Sequence, residues 1–391
     1  MTSDLKNHAT ISTSLVRRVK AFVDQKILPR EAHLAAQSPQ AEQLRQSLTA
    51  DAVAQGLYGT FFPSEHGGKL EHLSDYLPVA QQEGRSEYGP GIFGADLALD
   101  CHLLARHATS TVKNRYLSLM AQGLAVSSYA MSEPERPGSI PDTIQCRAVL
   151  RDGTWRVTGR KWFVCRSHIA DFVTVLLRTD EGVPEKSLSM MVVPTDSPGF
   201  EQIRPLCVLG RFKGQSEIEF RDVAVPADYV LGKPGQGLAL MQQRLNLGRL
   251  LRSAHWSGLA TRCFDLMRKH IGSPKGQLGR LADKQMVRAR TYETYREIIA
   301  AQAMLRETAR QFDAGLCTQI EINTVKLACS DALSVAADNA VQIIGAQALS
   351  DEMPLSDIYR IARATHIMDG ADDALISAIG HSLIKRDDDI W

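Results

Sequence analysis

Excess charge of either sign is what this chain most plainly lacks: 45 Lys and Arg stand against 44 Asp and Glu, a formal net charge of +1 at pH 7. Such a surface offers no basic stripe for nucleic acid and no polybasic patch for an anionic membrane, so neither partner is expected. No apolar run reaches the roughly 20 residues of a membrane-spanning helix. Residues 1–8 show neither an apolar secretory core nor an Arg-rich transit pattern, which predicts a cytoplasmic location. The seven cysteines are odd in number and form no Cys-x-x-Cys pair, so reduced thiols are expected and a zinc or redox motif is not. Repeats and low-complexity segments are missing as well. What is present is an ordinary globular balance, 44% hydrophobic and 23% charged over 391 residues, long enough for two or three domains.

Only the middle of the chain reads as β-structure. Runs at Cys146–Arg151, Thr154–Thr158, Phe172–Arg178, Leu188–Pro194 and Ser216–Arg221 are rich in β-branched and aromatic residues. Turn signals separate them at Asp152-Gly153, Ser197-Pro198-Gly199 and Lys213-Gly214. Short strands with frequent turns predict an antiparallel sandwich or barrel. The flanks have helical spacing. Residues 10–60 carry Ile11, Leu15, Val19, Phe22 and Val23 on one face, and Leu281–Phe312 and Ile320–Ile344 predict long packed helices. The expected class is therefore α+β multidomain: an N-terminal helical domain (1–121), a middle β domain (122–232) and a C-terminal four-helix bundle (233–391).

Three local patterns invite a chemical reading. Trp162 and Phe163 are neighbours in a strand, so at most one should face the core. Gly232-Lys233-Pro234-Gly235-Gln236-Gly237 resembles half of a dinucleotide-binding loop. It lacks the third glycine and a surrounding βαβ unit, so it is expected only to turn the chain into a helix. Ile367-Met368-Asp369-Gly370-Ala371-Asp372-Asp373 precedes the last helix, expected from Ala371 through Leu383. Asp369 can be its N-cap, with Asp372 and Asp373 in the first turn. Opening onto apolar Ile367 and Met368, Asp369 can alternatively be a general base.

Landmarks along nearly the whole chain resemble the acyl-CoA dehydrogenases. They include Phe62-Pro63-x-x-x-Gly67-Gly68, Tyr129-x-Met131-Ser132-Glu133-Pro134 followed by Gly138-Ser139, and Gly159-x-Lys161. Phe220-x-Asp222-Val223-x-Val225-Pro226, Gly248-Arg249, Val341-Gln342-x-x-Gly345 and Asp369-Gly370 come later. The resemblance implies FAD bound between middle and C-terminal domains, and oxidation of the Cα–Cβ bond of an acyl thioester as in fatty acid metabolism. The thioester is carried by CoA or an acyl-carrier protein. It also implies a homodimer or homotetramer that passes electrons to a protein partner or to oxygen, and no metal.

By position, the resemblance places Tyr129, Met131 and Ser132 along the flavin ring, Phe163 over it and Cys165 at its edge. Ser139 falls near the pyrophosphate and the CoA arm. Gln342 and Gly345 fall at a neighbouring subunit's FAD, and Ala371 and Asp373 among the cofactor contacts. Asn246, Arg249 and Gly370 fall on the substrate, and Asp369 replaces the usual Glu as base. An Asp-Gly-x-Asp-Glu pattern marks a subgroup of the family. The family's Arg-x-x-Phe-Gly loop is missing after Lys269-His270, and Ala346 and Ala348 replace glycines. Two other functions therefore stay open: a flavin oxidase or monooxygenase with an Asp base, similar to nitroalkane oxidases, and a cofactor-poor partner subunit.

Overall fold

In a computed structural model the chain is described at residues 2–36 and 38–385, the side chains of residues 2–11 and 184 excepted. Met1 and the expected apolar position Ile11 fall among the exceptions. The backbone forms two compact units. One comprises residues 1–48, 70–93 and 246–391, and the other residues 49–69 and 94–245.

The principal helices are α1 (Thr2–Phe22), α2 (Pro39–Ala54), α3 (Leu73–Glu83), α4 (Ala95–His107), α5 (Ser110–Ala121), α6 (Gly237–Ile271), α7 (Gln285–Asp313), α8 (Gln319–Ile344), α9 (Leu355–Thr365) and α10 (Asp372–Ile384). The single helix expected over residues 10–60 is broken. Val23–Ile27 widens into a π turn and Leu28–Arg30 tightens into a 3-10 turn, because Pro29 cannot donate to the helical ladder. In the first unit α7, α9 and α10 all pack against α8. The packed face of α8 carries Val325, Cys329, Ala332, Leu333 and Ala336, all buried. These mostly small side chains let neighbouring helices approach closely. The helix starts at a capping box in which Thr318 and Glu321 each bond the other's backbone N–H.

The second unit holds one eight-stranded sheet: β1 (Ser127–Ala130), β2 (Arg147–Arg151), β3 (Thr154–Cys165), β4 (Phe172–Arg178), β5 (Leu188–Pro194), β6 (Phe200–Val208), β7 (Arg211–Pro226) and β8 (Val230–Leu231). Its order is β6-β7-β3-β2-β4-β5-β8, with β1 beside β4. The sheet is mixed, where the sequence suggested an antiparallel one: β1 and β2 both run parallel to β4. Every residue of β5 and nearly every one of β4 is buried, which explains their unbroken apolar runs. Asp152-Gly153 makes the expected hairpin turn, both residues at positive φ. Lys213-Gly214 does not. It lies inside β7, and the chain reverses instead at Leu209-Gly210, where both residues again have positive φ.

Candidate active site

In the second unit a buried ion pair organises the segment after β1. Lys161 is fully buried and Glu133 nearly so, and their charged atoms lie 3.0 Å apart. The Glu133 carboxylate also accepts from the N–H groups of Gln145 (2.9 Å) and Cys146 (2.8 Å). Lys161 donates to the Met131 carbonyl at 2.7 Å, and the Trp162 N–H to the Ser132 carbonyl at 3.0 Å. Two charges taken from water need this saturation of partners. Its consequence is a fixed course for residues 131–133.

Neither Trp162 nor Phe163 faces the core, within the expected limit of one, and a bulge arranges them. The β3–β7 register slips between Lys161 and Val164, and Phe163 sits at φ 51°. This bulge sends Lys161 and Val164 inward and leaves neither aromatic in the core. Phe163 is 48% exposed, with its ring centroid 4.9 Å from that of Trp162. Cys165 is exposed nearby on the same strand, as is Ser139 on the segment beyond Glu133. Tyr129 takes the Arg244 guanidinium over its ring at 3.8 Å, and Arg244 pairs with buried Asp100 at 2.9 Å. Burial pushes the Tyr129 hydroxyl up to about 12.

The first unit carries the carboxylate turn between α9 and α10. Ala371, not Asp369, is the residue before α10, and no side chain caps that helix. Asp369 instead adopts a left-handed conformation at φ 54°, followed by Gly370 at φ 109°. The Arg249 Nε donates to the Asp369 carbonyl at 2.9 Å, while its Nη1 donates to Asn323 Oδ1 at 2.8 Å. Burial pulls the Arg249 pKa down, and the charge of Asp369 acts in the opposite direction. The Asp369 carboxylate is half-buried and lies 3.9 Å from Arg252. Among the described residues, no acceptor takes the N–H of Asp369 or of Gly370.

Beneath this turn lies a second cluster. Fully buried Lys326 pairs with Asp372 and donates to the Gly370 carbonyl at 3.0 Å. His366 Nδ1 meets Asp372 at 2.5 Å, and its Nε2 meets Ser334 Oγ at 2.7 Å. Asp331, His366 and Asp372 offer ligand-type atoms within 4.8 Å of one another, but the buried ammonium already compensates Asp372.

The structure thus gathers the expected residues into two groups. Tyr129, Met131, Ser132, Ser139, Phe163 and Cys165 belong to the second unit. Asn246, Arg249, Asp369, Gly370, Ala371 and Asp373 belong to the first. Gln342 and Gly345 share the first unit but are exposed at the far end of α8, about 24 Å along the helix from Lys326. Where the Arg-x-x-Phe-Gly loop is missing, the chain makes a short helix, Pro274–Leu278, capped by Ser273. Sequence reading missed Lys326, His366, Ser334, Asn323, Arg252, Asp100 and Arg244. One signal was available: a lysine in the apolar stretch Val325-Lys326-Leu327-Ala328-Cys329 has to be buried with a partner.

Models of the N-terminal, middle and C-terminal domains of acyl-CoA dehydrogenases match residues 12–124, 128–223 and 235–384. The chain is similar to Acyl-CoA dehydrogenase family member 10 of Mus musculus, 29% identical over 92% of this chain and 36% of that protein. It spans about half the length of several other curated relatives, at 49%. The mitochondrial isovaleryl-CoA dehydrogenase of Oryza sativa subsp. japonica is 27% identical over 85% of this chain and 81% of its own. Among solved structures, a putative acyl-CoA dehydrogenase from Mycobacterium abscessus superposes with a TM-score of 0.86 at 25% identity, covering 95% and 98% of the two chains. Three consecutive domain matches and a fold shared end to end place the chain in the acyl-CoA dehydrogenase family, whose members are FAD oxidoreductases.

Proposed function

We propose that the protein dehydrogenates an acyl thioester at Cα–Cβ, with FAD as hydride acceptor and Asp369 as the base for the α-proton. The observation that carries this reading is the conformation of Asp369. A left-handed non-glycine residue costs about 1–3 kcal/mol and persists only where its surroundings over-determine it. Here Arg249 grips its carbonyl while the side chain keeps 20% of its surface exposed. The cap reading has no support, because Ala371 occupies the cap position.

The residues present fit FAD. Phe163 offers an exposed ring at a strained backbone position, and the buried Lys161–Glu133 pair fixes Met131 and Ser132 beside it in the same unit. Bound FAD supplies the acceptor for the β-hydrogen as hydride. The chain's own groups do the rest. Asp369 takes the α-proton, Arg252 orients its carboxylate, and the uncommitted N–H groups of Asp369 and Gly370 are donors for the thioester oxygen, where enolate charge develops. Asp is one methylene shorter than Glu, so a fixed turn matters more here.

CoA and a carrier-protein phosphopantetheine present the same arm, so the carrier in this reading is either of the two. A homo-oligomer is supported by exposed Tyr292, Tyr295 and Ile299 along one face of α7. A reducing, cytoplasm-like compartment is supported by seven unpaired thiols. The electron acceptor in this reading is a protein partner or oxygen. An oxidase on the same fold would also use an Asp base. Anaerobic addition of an acyl-CoA tests the reading, since it should bleach the bound flavin of the wild type but not of Asp369→Asn. Bleaching only by non-thioester substrates, with rapid recovery in air, would favour the oxidase.

A further inference from the structure

We propose that Lys326, Asp372 and His366 are positioning residues that hold the Asp369–Gly370 turn in its reactive conformation. The proposal rests on the reading of Asp369 as the base. It begins with a cost. Burying the Lys326 ammonium completely is unfavourable by several kcal/mol unless partners replace its water. An acidic residue in the first turn of α10 needs no such partner, since the helix macrodipole alone favours it. A buried ion pair is also weak evidence for stability, because well-packed apolar residues often do as well. What the pair specifies is geometry.

Two successive carbonyls of the turn are gripped by cations from different helices. Arg249 on α6 holds the Asp369 oxygen at 2.9 Å, and Lys326 on α8 holds the Gly370 oxygen at 3.0 Å. Fixing these carbonyls fixes the two peptide planes that flank Gly370, and with them the direction of the Gly370 N–H and the course of the chain as it leaves Asp369. Lys326 in turn is anchored by Asp372. His366 bonds Asp372 through its side chain and accepts the Asp372 N–H on its carbonyl at 2.9 Å, closing the loop on itself. Ser334 bonds the far nitrogen of His366 at 2.7 Å. Lys326 and Ser334 are eight residues apart on α8, so one helix face pins both ends of the loop. Asp369 lies between those ends and makes none of these side-chain bonds, which leaves its carboxylate for chemistry.

The test uses the FAD-loaded protein and compares Asp372→Asn and His366→Gln with wild type. Hydrogen exchange of the peptide covering residues 366–372, without substrate, reads the hold on the turn through the Asp372 N–H that bonds the His366 carbonyl. Asp372→Asn should speed its exchange about tenfold while α7 is unchanged. The same variant should lower the rate of flavin reduction by an acyl-CoA about 10- to 100-fold with KM moved less than about threefold, as expected from a base displaced by up to about 1 Å. His366→Gln, further from the buried lysine, should move both in the same direction by less. It also serves as the test should Asp372→Asn fail to fold. Unchanged exchange in the loop, or a wild-type reduction rate in a variant whose melting temperature has dropped, would reduce the network to a structural prop and overturn the proposal. An Asp369→Asn protein that still reduces its flavin would instead overturn the assignment of the base, and the exchange measurement would still decide whether the network holds the turn.

Discussion

Replacing Lys161 by Met should cost the β-containing unit far more than the loss of a surface ion pair. Lys161 is 0% and Glu133 7% exposed, so the substitution leaves a carboxylate in the interior with only its two backbone N–H donors. Removing one partner of a buried pair costs about 3–5 kcal/mol. At about 2–4 °C per kcal/mol for a unit of this size, the unfolding midpoint should fall by about 6–20 °C. Lys161 also holds the Met131 carbonyl, so FAD retention through gel filtration should weaken in parallel. Arg221→Ala is the control. Arg221 is 62% exposed and pairs with Glu201 and Glu219 on the same sheet, so water screens these pairs and their loss should barely move the midpoint. Differential scanning calorimetry of both variants, with and without FAD, gives the answer. A Lys161→Met protein within about 1 kcal/mol of wild type would refute the claim that this pair organises the segment after β1.

Three further outcomes follow from the same structure. Burial holds the His102 pKa below its ordinary 6.5, with a hydrogen bond to the Phe61 carbonyl at 2.8 Å opposing the shift. The stability this confers is complete above pH 6.5 and is lost as pH falls through the folded-state value, because the unfolded chain takes up the proton first. His102→Gln should therefore flatten the decline in melting temperature between pH 7 and 5, and an unaltered decline would contradict this. Exposed Cys165 and Cys207 should react with a maleimide in the native apoprotein, while buried Cys146, its thiol pushed up to about 11, should not. FAD should then protect Cys165 but not Cys207 in mass-spectrometric mapping, and equal labelling of Cys165 with and without FAD would move the flavin elsewhere. A Cβ on Gly258 would sit 2.0 Å from the Gln81 carbonyl oxygen, so Gly258→Ala should destabilise by about 1–3 kcal/mol in a denaturant titration, and a neutral result would disprove this close helix approach.

Elements with a strong local signal were legible in the sequence. Phe172–Arg178 and Leu188–Pro194 form strands with the expected bounds, since buried central strands need unbroken apolar runs. Asp152-Gly153 was equally readable, because few residue pairs tolerate two positive φ values. Leu209-Gly210 was not, since Leu rarely adopts that conformation and the turn there is imposed by pairing of β6 with β7. The aromatic pair Trp162–Phe163 was legible only in part: neither ring is in the core, within the expected limit of one, but the bulge that turns both outward has no two-residue signal. Asp369 stood out from its motif, but its role as a cap or a base depended on two residues of helix register. Its supports were hidden for a different reason. Arg249 comes from α6, Asn323 and Lys326 from α8 and His366 from the turn after α9, and only tertiary packing brings them to one place.

The central claim is that Asp369 removes the α-proton, and Asp369→Asn tests it most directly. Asn is nearly isosteric and tolerates the left-handed conformation, so the variant should fold, bind FAD and bind an acyl-CoA as wild type does. It cannot accept the proton. Anaerobic stopped-flow mixing with an acyl-CoA that bleaches the wild-type flavin should leave the flavin of Asp369→Asn oxidised, with at least about a thousandfold loss in rate. Bleaching of the variant flavin at the wild-type rate would contradict the account.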